Sequence, residues 1–209
     1  MIRSSERPTG ASSRVGEADA RLAARYEAIR GATAQQVRDA ARRYGIPQQI
    51  AQRVHRHLFL TEYDLPTAPG QTRRMRFEPL GEIADLWEGA LEGRLSADQA
   101  LEFKWLLAHE YVESHFMARG MSYRSLDPLA WLGETVDVAP GRFGAHDLAP
   151  NPNQRNAPFS QYRRMGVSAE GLALDLLGEP DWTLDDVQLS VGIEQEPVPD
   201  RFRERVRWL

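Results

Sequence analysis

The stretch Leu101–Arg119 reads LEFKWLLAHEYVESHFMAR, and its reading decides the fold class. It holds neither proline nor glycine, and its apolar residues recur at helical spacing. Helix signals bracket it. Ser96 stands as an N-cap before Ala97-Asp98-Gln99-Ala100, and Gly120 stands where a helix would end. The spacing predicts one long helix from Ala97 to about Arg119. On a helical wheel Phe103, Trp105, Leu106, Phe116 and Met117 share a face with His109, Glu110 and Glu113. Lys104 and His115 fall on the opposite side, where His115 is expected to be solvated.

Working outward, PLGEIADLWEGALEG predicts a helix that starts at Pro79 and ends at Gly93, with Leu80, Ile83, Leu86, Trp87, Ala90 and Leu91 on its apolar side. Residues 61–78 are rich in turn formers and read as a loop. Farther upstream, Leu22, Tyr26, Ile29, Val37, Ala40, Ala41 and Tyr44 keep helical spacing across Gly31, which splits them into two helices, and Gly45 is a stop. Pro47 then opens IPQQIAQRVHRHLFL, with Ile50, Val54, Leu58 and Phe59 inward. The cadence is that of a helix-turn-helix whose second helix carries Arg53, His55, Arg56 and His57. Two helices meeting at a glycine turn are also common as plain packing.

Downstream, residues 121–165 are dense in Pro, Gly and Asn and read as one long irregular loop, a length that usually has a function. A helix near Ala169–Leu177, a short strand at Val187–Ile193 and a basic end, RFRERVRWL, complete the chain. Residues 1–15 read as a disordered lead. The expectation is a mainly α, compact helical domain over residues 16–209, with a core segment at 77–125.

The 209 residues are 42% hydrophobic and contain no cysteine, which excludes disulfide frameworks, thiolate zinc sites and thiol catalysis. Any metal must be held by His, Asp or Glu. No run of apolar residues reaches the ~18 needed to span a bilayer, and the first residues lack the apolar stretch of a signal peptide. The net charge of −4 hides an asymmetry: residues 1–78 carry an excess of six positive charges and the remainder an excess of ten negative ones. A surface for polyanions is thus available only in the N-terminal third.

Charged groups on an apolar helix face are costly unless paired or bound to a cation. His109, Glu110 and Glu113 need a shared reason for being there. One is a divalent ion, Zn²⁺, Mn²⁺ or Fe²⁺, gripped by His109 and Glu113 from successive turns. His-Glu-x-x-Glu is then a relative of the metallopeptidase His-Glu-x-x-His, with Glu110 as the base that activates water. A second is metal-free acid–base chemistry by His109 and a carboxylate. A third is a buried structural network with arginines and backbone groups. Tyr123 and Arg124 follow Gly120 closely and could fold back over the helix end. His146, beside Asp147 in the long loop, is a candidate third ligand or acid–base group, or else part of a local turn. Asp85 could orient a histidine, or be an ordinary solvated residue of its helix.

The ordered combination Ile83-Ala84-Asp85-x-Trp87, Gly93, Leu106-Leu107-x-His109-Glu110-x-x-Glu113-Ser114-x-x-Met117-x-x-Gly120-x-x-Tyr123-Arg124 resembles C-terminal effector domains of bacterial polymorphic toxins, the tips of contact-dependent, Rhs-type or LXG-type proteins. It covers roughly residues 77–125. Members continue Tyr-Arg-x-Ala-His, whereas this chain reads Tyr123-Arg124-Ser125-Leu126-Asp127, so His146 is the candidate replacement. The resemblance implies a domain made in the bacterial cytoplasm, carried by a larger secreted protein, delivered into a neighbouring cell and countered by a cognate immunity protein. Nucleases dominate such tips, so a nucleic acid is the first substrate expected. A metal-dependent peptidase-like hydrolase, and a non-enzymatic module binding DNA or protein through the Arg-rich N-terminal third, are the competing readings.

Overall fold

A computed structural model of the chain describes residues 20–132 and 135–168. The expected helix near Ala169–Leu177, the strand at Val187–Ile193, the basic end and the lead at 1–15 lie outside the described residues. Within them the fold is mainly α and compact.

Gly31 separates α1 (Ala20–Arg30) from α2 (Ala34–Arg43), as its place in the pattern predicts. Thr33 caps α2 in a reciprocal capping box with Gln36. Helix α3 (Gln48–His55) follows Pro47 and runs directly into one wide π turn, Arg56–Leu60. Helix α4 (Gly81–Glu92) begins two residues later than Pro79 suggests and ends at Gly93, which takes the left-handed conformation at φ 76°. Ser96 and Gln99 form the capping box of α5, Ala97–Ala118.

Helix α5 departs from the two-faced expectation. From Phe103 to Met117 only His115 escapes full burial, and Lys104 is buried with the rest. A helix enclosed by neighbours has no solvent face; α3, α4 and the C-terminal loop surround this one. His115 is half-buried and meets Tyr111 edge-on, ring centroids 4.6 Å apart, instead of standing in solvent. The core joins the elements through tilted and edge-on aromatic pairs: Tyr26 on Phe59, Phe59 on Trp87, and Trp87 on Phe103, at 5.1, 5.5 and 5.1 Å. Such pairs add about 0.5–1.5 kcal/mol each beyond burial.

Residues 61–78 are not a loop. Tyr63–Ala68 (β1) and Gln71–Met75 (β2) form an antiparallel hairpin that turns at Pro69-Gly70, with Gly70 at φ 69°. Pro66 within β1 and the polar run of β2 conceal the strand pattern in the sequence. Residues 121–165 are likewise less irregular than their composition suggests. After a 3₁₀ turn at Pro128–Ala130 come a two-residue ladder of β3 (Trp131–Leu132) with β4 (Thr135–Val136), a short helix α6 (Ala145–Leu148) and, at the far edge, α7 (Tyr162–Met165). This segment returns to the end of α5. Ala145 N–H donates to Ser122 O at 2.9 Å, and His146 N–H to Tyr123 O at 3.1 Å. Gly144 makes the return possible, since a Cβ there would lie 2.5 Å from Tyr123 O and 2.6 Å from Arg124 Cα.

Candidate metal centre

The α5 turns that carry His109, Glu110 and Glu113 face two other segments. One is α6 with His146; the other is the π turn with His57. These five side chains are between 0 and 7% exposed, and they converge.

On one side, His146 Nδ1 lies 2.8 Å from Glu113 Oε2, His109 Nε2 lies 3.0 Å from His146 Nδ1, and His109 Nε2 lies 3.4 Å from Glu113 Oε2. Ligand bonds of about 2.1 Å place adjacent donor atoms roughly 3.0 Å apart in octahedral geometry and about 3.4 Å apart in tetrahedral geometry. The triangle therefore already has the dimensions of one face of a coordination sphere. On the other side, His57 Nε2 lies 2.9 Å from Glu113 Oε1 and 3.5 Å from Glu110 Oε2. Both groups could hold a metal ion.

Two of the three histidines, His109 and His57, are aimed from behind. His109 Nδ1–H donates to Pro150 O at 3.0 Å, which turns Nε2 inward as the nitrogen a metal would take. His57 Nδ1 bonds the Tyr63 hydroxyl at 2.7 Å and turns its Nε2 inward too. Hydrogen bonding of the outer ring nitrogen is the usual support of a metal-ligating histidine. Residues 147–150, the end of α6 and the turn that carries the Pro150 carbonyl, are held by α7 and the residue before it. Tyr162 O–H donates to Leu148 O, and Gln161 donates to Asp147 O and Ala149 O.

Burial shapes the protonation states. It would raise Glu113, but hydrogen bonds from His109, His146 and His57 hold its carboxyl well below the usual carboxylate range. Burial and the Glu113 charge push Glu110 up. His146 is pushed down to about 3 by burial and by Arg124. It is therefore neutral, as a ligand must be, whereas at His57 and His109 the carboxylates outweigh burial and raise the pKa, so a metal would displace their inner protons. Neither carboxylate oxygen of Glu110 has a hydrogen-bond partner, although both are buried. An unsatisfied buried carboxyl costs about 1–3 kcal/mol or more, so this residue has room for a further partner.

The other sequence candidates take clear places. Tyr123 folds back as expected, its ring 5.1 Å from that of His146 and 5.2 Å from that of Phe77. Arg124 pairs with Asp147 at 2.7 Å, and Asp147 in turn accepts from Gly144 N–H at 2.8 Å. Arg124 and Asp147 thus brace α6, and with it His146. Asp85 does not orient a histidine; it pairs with Arg25 on the surface. Of the side chains that a DNA-reading helix would offer, His55 bonds Ile29 O at 2.8 Å, His57 faces the centre, and Arg53 bonds Ser114 Oγ at 2.7 Å. Arg56 is exposed.

His57 is the residue that sequence reasoning missed. A helical wheel over Ile50–Leu60 places it on the same face as Ile50, Val54 and Leu58, and a polar residue inside that stripe is the same signal that exposes His109. Its grouping with Arg53 and Arg56 made it look like a surface residue.

Comparison with protein-family models, with curated proteins and with solved structures finds no match.

Proposed function

We propose that the chain is a metal-dependent hydrolase with its ion on His109, Glu113 and His146, acting on nucleic acid as the effector domain of a polymorphic toxin. The observation that carries the hydrolase reading is the His109–His146–Glu113 triangle. Three donor atoms, two from α5 and one from the distant α6, meet at ligand spacing, with one imidazole fixed by a backbone carbonyl.

A bound Zn²⁺, Mn²⁺ or Fe²⁺ would lower the pKa of a coordinated water and polarise the scissile group. The residues do the rest. Pro150 O and the Arg124–Asp147 pair hold two of the ligands in place, and Tyr123 covers His146. Glu110 offers a carboxylate open to one new partner, a proton or a cation. His146, at 7% exposed, is the least enclosed ligand, and the side chain of Arg124 beside it is 30% exposed. A phosphodiester approaching past them would meet a guanidinium before the centre. Arg73, Arg74 and Arg76 on and beside β2 are also exposed. The toxin setting rests on the resemblance of residues 77–125. It brings with it a larger carrier and a cognate immunity protein.

The test uses purified protein stripped with chelator and reloaded with Mn²⁺ or Zn²⁺, assayed on single- and double-stranded DNA and RNA. Cleavage should appear with the ion and fall at least 100-fold in His109→Ala and His146→Ala. Expression of the parent should halt growth of a bacterial host, and expression of His146→Ala should not. Cleavage indifferent to chelation and to both substitutions would end the metal reading. A harmless parent would end the toxin reading.

A further inference from the structure

The candidate centre has two halves, and the hydrolase reading uses one. We propose that the site is dinuclear: His57 and Glu110 hold a second divalent ion, and Glu113 bridges it to the ion on His109 and His146. The inference rests on the metal reading above and extends it.

Glu113 divides its two oxygens between the halves. Oε2 faces His146 and His109 at 2.8 and 3.4 Å, whereas Oε1 faces His57 at 2.9 Å. A single ion held with His109 and His146 takes Oε2 and leaves Oε1 turned to His57. A bridging carboxylate presents one oxygen to each ion, and paired ions in two-metal sites stand about 3.5–4 Å apart.

Glu110 supplies an independent observation. It is fully buried, both oxygens lack a hydrogen-bond partner, and Oε2 points toward His57 Nε2 at 3.5 Å. A carboxylate in that position is satisfied by a cation that Glu113 Oε1 and His57 Nε2 also reach. His57 has the support expected of a ligand, because Tyr63 holds its outer nitrogen at 2.7 Å. It also sits in the π turn Arg56–Leu60, a helix irregularity frequent at functional sites. The donor set is nitrogen and carboxylate throughout, which suits Mn²⁺, Fe²⁺ or Zn²⁺. Paired ions of this kind hold the attacking and leaving oxygens of an in-line displacement, and this ties the second ion to a phosphodiester substrate.

The experiment is metal stoichiometry on the chelator-stripped full chain reloaded with Mn²⁺ or Zn²⁺ and desalted, read by elemental analysis. Electron paramagnetic resonance of the Mn²⁺ form provides a second readout that needs no variant. We expect two ions per chain and an exchange-coupled manganese pair in the parent. His57→Gln and Glu110→Gln should keep the parent's circular dichroism, bind one ion, and give an isolated Mn²⁺ signal. One ion per chain in the parent, with no coupled signal, would overturn the proposal. If that single ion were lost in His146→Ala and kept in His57→Gln, the one-ion hydrolase reading would stand alone. A parent that binds no ion would overturn both.

Discussion

Glu110 is the residue at which stability and function pull apart. Its carboxyl is buried without a hydrogen-bond partner, so the metal-free protein holds it at a cost. Glu110→Leu should therefore raise the melting temperature measured in chelator, with a gain of about 1–3 kcal/mol from the removed unsatisfied group. The same variant should gain less than the parent when Mn²⁺ is added. A lower melting temperature in chelator would show that the carboxyl is already satisfied. Tyr63 makes a second residue-scale prediction. Tyr63→Phe removes the hydroxyl behind His57 and keeps the ring, and loss of such support typically weakens metal affinity about 10–100-fold. Titration with a competing chromophoric chelator measures this. His55 supplies a pH dependence. Burial lowers its pKa and the Ile29 carbonyl offsets this only in part. The folded state thus binds its proton less readily than the unfolded chain, whose imidazole titrates near ~6.5. Stability from this group is present above about pH 6.5 and falls as pH is lowered through it. His55→Gln should flatten the acid limb of the denaturant midpoint relative to the parent.

Among elements, α5 and α6 differ most in how they are specified. Helix α5 was legible from Ser96, the apolar spacing and Gly120. So was the inward placement of His109, Glu110 and Glu113, because charge inside an apolar stripe is a local signal. That α5 is enclosed from Phe103 to Met117 was not legible, since enclosure comes from α3, α4 and the return of the C-terminal loop. The hairpin at Tyr63–Met75 was hidden by Pro66 and by a polar second strand, whose pairing is made by backbone groups that every sequence has. Helix α6 is only four residues long and has no pattern of its own. His146 could be singled out by type, but its distance from Glu113 depends on Gly144, Arg124 and the clamp from α7. Gly144→Ala tests that dependence. The added methyl meets Tyr123 O, so α6 must move outward, and overpacking of this kind costs about 1–3 kcal/mol. We expect a fold that survives with a lowered melting temperature, and loss of tight metal binding beyond what that destabilisation explains. Retained affinity would show that α6 can adjust without losing the site.

For the whole molecule, the centre is a junction. The side chains that could hold metal come from the π turn after α3, from α5 and from α6, so any ion bound there would tie the N-terminal helices, the central helix and the C-terminal loop together. An ion that binds only the folded state at about 100-fold above its Kd adds ~2.7 kcal/mol. For a domain of this size that is roughly 5–10 °C in melting temperature. Chelation should lower the parent's melting temperature by that order. Glu113→Gln, which removes the group common to both halves, should melt at one temperature with and without chelator. No helix among the described residues is long and apolar enough to cross a membrane.

The late position of His146 and of its clamp at Gln161 and Tyr162 has a consequence for how the domain comes into being. A ribosome making this chain releases α1 to α5, with most of the aromatic core, well before it releases the last ligand and the residues that fix it. The emerging chain can thus pack its helices while its chemistry is still incomplete, and a fragment ending before Gln161 would carry His57, His109, Glu110, Glu113 and His146 with nothing from α7 to hold the last of them. Under the toxin reading proposed above, the order of synthesis itself delays the harm until Gln161 and Tyr162 have emerged.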